Sequence, residues 1–232
     1  MKIGIMQPYF FPYIGYFQLI SAVDQFVVYD NIKYTKKGWI NRNRMLLNDK
    51  DVMFSLPLKK DSDFLNIVDR ELSVEFDRGK LLNQFKGAYG RAPYFSECLA
   101  LLERVLGFED NNLFRFILHS LSETCAHLNV STEIVISSTV EIDNDLRGQD
   151  KVIALCTSLL ARTYVNPIGG TDLYSSDFFN ESGVDLKFIK TKPFEYKQFG
   201  KPFVPWLSII DLLMFNPLEK VMEIVRNDYE LL

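Results

Sequence analysis

Apolar positions in this chain fall first into short strand-like runs and then into helical periods. Lys2–Met6 (KIGIM) is a short apolar run that Pro8 stops, which predicts a first strand with Gln7 at its carboxyl end. Pro12 fits the first turn of a helix, where a missing N–H is harmless. Phe17, Leu19 and Ile20 supply that helix with apolar positions, and it closes before Asp24. Residues 25–29 (QFVVY) predict a second strand, with Asp30 at its carboxyl end. Strand, short helix and strand within about thirty residues is the pattern of a βαβ unit with a right-handed crossover.

Residues 39–47 (WINRNRMLL) and 52–58 (VMFSLPL) predict a hairpin around the turn-forming pair Asn48-Asp49. Residues 67–76 alternate loosely and predict another strand. From 78 to 129 the period is helical, with breaks at 87–93 and 107–112. Strands are then expected at 133–137, 163–166 and 184–191, and helices at 150–162, 209–215 and 218–225. The expected fold is α/β: a Rossmann-like core with a mostly parallel sheet and an inserted helical subdomain. Its divisions are 1–77 (first half of the core with a β-hairpin), 78–130 (helical subdomain) and 131–232 (second half with C-terminal helices).

Composition narrows the class. With 232 residues, 47% hydrophobic and 24% charged, the chain can bury a sizeable core without disulfides or metal. A net charge of −4 argues against broad capture of nucleic acid. Cys98, Cys125 and Cys156 are scattered, as reduced buried thiols of a cytosolic protein would be. No run approaches the roughly 18 apolar residues of a membrane span, and no signal peptide precedes the first strand. A soluble cytoplasmic protein is expected, with no nucleic-acid or membrane partner; a homodimer is compatible with all of this.

The usual catalytic signatures G-x-G-x-x-G, G-x-x-x-x-G-K-[ST] and G-x-S-x-G are missing. His119 and His127 sit on an apolar helix without ligand-spaced partners, so no metal site is expected. No motif demands a cofactor, and ATP stays open as a co-substrate. Sites in open α/β sheets form outside the carboxyl ends of strands. Here those ends carry Gln7 and Tyr9, then Asp30, then Ser137 and Ser138, then Gly169 and Gly170.

The opening loop, Gln7 through Tyr16 (QPYFFPYIGY), holds five aromatics. Tyr9, Tyr13 and Tyr16 offer hydroxyls for phosphate or sugar and rings for stacking. Gly15 permits close approach. Residues 33–44 (KYTKKGWINRNR) gather Lys36, Arg42 and Arg44 with Trp39 in an otherwise acidic chain. On a strand Arg42 and Arg44 share one face and Asn43 lies on the other. Paired guanidinium forks suit a diphosphate or a carboxylate.

Gln7-Pro8-Tyr9-Phe10-Phe11-Pro12-Tyr13-Ile14-Gly15-Tyr16-Phe17, the segment Gly38-Trp39-Ile40-Asn41-Arg42-Asn43-Arg44, and the closing Pro205-Trp206-Leu207-Ser208-Ile209-Ile210-Asp211-Leu212-Leu213 resemble the WbqC-like family. Met6 departs from it, since many members carry His before Gln-Pro. The resemblance implies a bacterial protein of O-antigen and lipopolysaccharide biosynthesis with a glycine- or acyl-transfer role. Tyr13-Ile14-Gly15-Tyr16 also has the spacing of the H-x-G-H motif, which implies a nucleotidylyltransferase-like core with tyrosines in place of both histidines.

Three functions follow. The first is a transferase placing an amino-acid-derived (glycine-like) or other acyl group on a nucleotide-linked amino sugar. In that reading Asp30 and Gln7 are the catalytic residues, with Asp30 as the base. Tyr9, Tyr13, Tyr16, Lys36, Trp39, Arg42, Asn43, Arg44, Ser137, Ser138, Gly169 and Gly170 bind the nucleotide-linked sugar. The second is ATP-dependent nucleotidylyl transfer or carboxylate activation. The third is a non-catalytic nucleotide-sugar-binding protein.

Overall fold

The computed structural model describes residues 1–143 and 145–232. The chain opens with strand β1 (Lys2–Met6), helix α1 (Ile14–Ala22) and strand β2 (Gln25–Val28). A hairpin follows, β3 (Arg42–Leu47) and β4 (Lys50–Ser55), paired in antiparallel register from Arg42 opposite Ser55 to Leu47 opposite Lys50. Asn48 and Asp49 stand at φ 52° and 59°, the left-handed pair that a two-residue hairpin turn requires and that Asn and Asp tolerate well.

Three helices come next: α2 (Arg78–Tyr89), α3 (Phe95–Leu106) and α4 (Leu113–His127). Asp77 caps α2 by accepting from the Lys80 N–H at 2.8 Å, and Asn112 caps α4 through the Arg115 N–H at 2.9 Å. Residues 67–76 are not a strand, contrary to the sequence expectation. Ile67–Asp69 forms a single 3-10 turn, and the backbone beyond it is taken up by the loop before α4. Leu72 N–H donates to Asn111 O, Leu113 N–H to Arg70 O, and the Asn112 amide to Val68 O.

Strand β5 (Glu133–Ile136) leads to α5 (Gly148–Ser158) and β6 (Thr163–Pro167). Helix α5 ends earlier than its apolar pattern suggests, because Leu160 turns left-handed at φ 56°. Leu160 N–H then reaches Thr157 O and Ala161 N–H reaches Cys156 O, closing the helix as a Schellman turn. The remaining elements are α6 (Ser176–Glu181), β7 (Asp185–Thr191), α7 (Ile209–Phe215), α8 (Leu218–Asn227) and β8 (Tyr229–Leu231). Helix α6 and strand β8 were not expected, because both are too short to show a period in the sequence.

Among the described residues, six strands make one sheet in the order β5-β2-β1-β6-β7-β8, parallel except for β8. The order reverses between β1 and β6, the kind of switch point where open α/β sheets form crevices. One face packs α1, the α2–α4 group, α7 and α8 in a continuous core; the other packs α5 and α6. Both faces of β1 are therefore covered, which is why its apolar run is uninterrupted. No helix among the described residues is long and apolar enough to cross a membrane.

Candidate functional site

The loop between β1 and α1 is held by side chains from two distant elements. Phe10 and Phe11 are fully buried, and Phe11 stands at φ 43°, an uncommon conformation for a bulky residue. Such strain costs roughly 1–3 kcal/mol and persists only where neighbours over-determine it. Here the Phe11 carbonyl accepts from Asn43 Nδ2 and from Ser208 Oγ, both at 2.8 Å. Phe10 N–H donates to Ile40 O at 3.0 Å, and Ile209 N–H donates to Pro12 O at 2.9 Å. Asn43, expected to bind substrate, spends its amide donors on this clamp.

Beside the clamp lies a recess of about 180 Å³ lined by Tyr9, Pro12, Tyr13, Trp39, Asn43, Arg44 and Trp206. Five of these residues were expected from the sequence. Burial pushes the Tyr9 and Tyr13 phenols above their usual range, so both stay protonated donors near neutrality. Arg44 Nη1 donates to Asp51 at 3.1 Å and Nη2 to the Trp206 carbonyl at 3.1 Å, while the guanidinium lies 5.4 Å from the Trp39 ring centre. Its buried Nε has no hydrogen-bond partner among the described residues.

A second cavity, about 720 Å³, opens at the carboxyl end of β7. The segment 192–208 forms one side, with Phe194, Tyr196, Phe203 and Trp206, and Ile14, Ile189 and Leu212 form the other. Lys190 and Lys192 add positive charge to the lining. Tyr13 and Trp206 line both cavities and meet edge to face, ring centres 5.9 Å apart at 66°. An added Cβ on Gly15 would lie 2.5 Å from the Tyr13 ring, so what Gly15 admits is Tyr13 itself.

Farther along the same sheet edge Asp30 is fully buried. Its Oδ1 accepts from Ser137 Oγ at 2.7 Å and Ser138 N–H at 2.9 Å, and its Oδ2 accepts from Ser138 Oγ at 2.7 Å. The carboxylate thus ties the ends of β2 and β5 and presents no open face for taking a substrate proton. Lys151, only 5% exposed, donates from Nζ to Asn31 O at 3.3 Å and lies 5.3 Å from the Tyr29 ring centre. Desolvation pushes its ammonium pKa down. Gly170 packs so closely on Asn166 that an added Cβ would lie 2.2 Å from Asn166 Nδ2.

Several expected binding residues stand elsewhere. Tyr16 is 2% exposed, its hydroxyl donates to the Gln7 carbonyl at 2.8 Å, and its ring lies against Tyr9, Phe17 and Phe26; no ring face is open for stacking. Arg42 donates to the Gly38 and Lys37 carbonyls and rigidifies its own turn, so the two arginines do not act as a pair. Lys36 is exposed and paired with Asp63. Gly169 is exposed with open space about it. Gln7 is half-buried beneath Tyr16.

Trp206, Tyr196, Lys190 and Lys192 escaped the sequence reading as site residues. Trp206 carried a signal, because it belongs to the closing segment of the family resemblance. The segment around Tyr196 has no period, so only its tertiary placement reveals it.

An uncharacterized protein of Mycobacterium tuberculosis, Rv1507c, is 28% identical over 218 residues, covering 93% of each chain. No solved structure matches the chain. The WbqC-like family model matches residues 7–223, spanning the aromatic loop, the hairpin and the segment bearing Trp206, and the chain belongs to the WbqC-like protein family.

Proposed function

We propose that this protein is a transferase that places a small acyl group, such as one derived from an amino acid, on a nucleotide-linked amino sugar. One observation carries the reading: a large and a small cavity share the Tyr13–Trp206 wall near the carboxyl edge of the sheet. Holding two reactants side by side in fixed orientation lowers the barrier between them, and two adjoining cavities offer such an arrangement. At about 720 Å³ the large cavity falls within the roughly 300–1,000 Å³ range of small-molecule sites. Its aromatic rings suit a base or sugar face, and Lys190 and Lys192 suit a diphosphate. The recess of about 180 Å³ fits only a small group, and Arg44 there suits a carboxylate or carbonyl oxygen.

The strand order supports a Rossmann-like core, with the nucleotide at the reversal between β1 and β6. The surface-polysaccharide setting comes from the family resemblance. ATP enters only if the acyl donor is a free carboxylate needing activation, and pyrophosphate release then reports it.

Calorimetry with nucleotide-linked amino sugars, followed by mass spectrometry after adding amino acids, ATP and activated acyl donors, tests the reading. A mass increase on the sugar is expected. Failure of every nucleotide-linked sugar to bind overturns it. A non-catalytic binding protein is the second reading, favoured by the burial that pushes the Cys125 and Cys156 thiols up to about 12 and removes them as nucleophiles. Tight binding with no product under any donor selects it.

A further inference from the structure

Asp211 is fully buried in the first turn of α7, yet every group that bonds its carboxylate is neutral. Oδ1 accepts from Tyr89 Oη at 2.8 Å; Oδ2 accepts from Tyr196 Oη at 2.5 Å and from Gln198 Nε2 at 2.9 Å. The titratable groups facing it are Tyr89 on α2, Cys98 on α3 and Tyr196 on the 192–208 segment. No ion pair to Asp211 forms among the described residues. Isolated buried carboxylates are costly, and Asp211 differs from Asp30, which also meets only neutral donors, in being bonded by a tyrosine that lines a cavity. Tyr196 also lines the large cavity, as do Ile209 and Leu212 on either side of Asp211.

We propose that Tyr196 and Asp211 form a proton relay into the large cavity, with Tyr196 as the catalytic residue and Asp211 positioning it and holding the proton behind it. The relay rests on the transferase reading above. As the amino-sugar nitrogen bonds to the carbonyl carbon of an activated acyl donor, the donor's leaving group departs with its bonding pair. The nitrogen's proton passes to Tyr196 Oη while the tyrosine's own proton moves to Asp211 Oδ2, leaving a neutral phenol and a protonated carboxyl. That proton is released to the leaving group or solvent when the product departs. Desolvation lifts the Asp211 carboxyl above its usual range, which makes it a better proton acceptor than an exposed carboxylate.

The experiment compares wild type, Tyr196→Phe and Asp211→Asn for nucleotide-sugar binding, kcat, KM and pH profile. Tyr196→Phe is expected to lower kcat by roughly 100-fold or more, the usual size of general acid–base effects, with KM nearly unchanged. The wild-type acidic limb of kcat should lie above the ordinary carboxylate range and vanish in Asp211→Asn. If Asp211→Asn does not fold, Tyr196→Phe, which leaves the carboxylate in place, decides alone. Unchanged kcat in Tyr196→Phe with intact binding overturns the relay and spares the transferase reading. Failure of wild type to bind any nucleotide-linked sugar removes both.

Discussion

Tyr13 and Trp206, from opposite ends of the chain, meet edge to face and form the wall common to both cavities. The contact is held from behind. Gly15 leaves room for the tyrosine ring, and Arg44 fixes the tryptophan backbone through its carbonyl. Trp206 is 63% exposed and sits at φ 60°, so its position owes little to burial of its own ring. An exposed indole in a conformation that favours glycine is better explained by a binding role than by packing.

Removing the indole should therefore separate binding from stability. Trp206→Ala and Trp206→Gly are both expected to weaken nucleotide-sugar binding about tenfold or more, since stacking on an aromatic ring contributes about 1–3 kcal/mol. In urea denaturation the glycine variant should be the more stable of the two by about 1 kcal/mol, because glycine enters the left-handed region without strain. Equal stability for both would mean the backbone relaxes elsewhere once the ring is gone.

Gly15→Ala tests the same wall from the other side. The new Cβ would lie 2.5 Å from the Tyr13 ring and forces that half-buried ring out of its present position against Trp206. Calorimetry should show a loss in affinity similar to that of Trp206→Ala, with the thermal midpoint lowered by only a few degrees, as for about 1 kcal/mol in a chain of this size. Unchanged affinity would exclude Tyr13 from ligand contact.

Asn43→Ala should behave in the opposite way, damaging the fold first. It strips the Phe11 carbonyl of one of its two clamping donors and the Phe10 carbonyl of its longer contact. Loss of buried hydrogen bonds beside a strained residue is expected to cost about 2–4 kcal/mol in chemical denaturation. Arg42→Ala, next along β3, releases only bonds to its own turn and should leave nucleotide-sugar binding unchanged.

Asp30→Ala is expected to destabilise by about 3 kcal/mol or more, because three donors from Ser137 and Ser138 lose a buried acceptor. Asp30→Asn should cost less, about 1 kcal/mol, since Oδ1 keeps two bonds and the Ser138 hydroxyl can turn to accept. Normal turnover in a folded Asp30→Asn variant would identify this carboxylate as a tie between strands.

Local chemistry made much of this architecture legible in the sequence. Pro8 and Pro12 bracketed the first loop, Asn48-Asp49 marked the hairpin, and short apolar runs marked the first two strands. Strand ends then pointed to Asp30, Ser137 and Ser138, which do meet. What stayed hidden depended on contacts distant in sequence. Arginine alternation on β3 could not show that Arg42 turns back to its own turn while Arg44 reaches Trp206. Tyr16 looked available because sequence does not reveal which aromatic of a cluster is enclosed, and Tyr196 became visible only once residues 192–208 lay against α7.

Asp211 offers a prediction about stability that is independent of catalysis. Desolvation holds its folded-state pKa above the usual 3.8, although hydrogen bonds from Tyr196, Gln198 and Tyr89 oppose that shift. The folded chain therefore binds this proton more tightly than the unfolded chain. The resulting stabilisation is fully present below the unfolded pKa and is lost as pH rises from about 4 through the raised folded value. Asp211→Asn cannot ionise and should lack this loss. The difference in urea midpoint between Asp211→Asn and wild type should then shift in favour of the asparagine variant as pH rises across that window. Subtracting wild type removes the opposite slopes of carboxylates such as Asp110, whose pKa its bond to Arg115 holds down. A shift in the other direction would show that the three donors outweigh desolvation and that Asp211 is held as a stable anion.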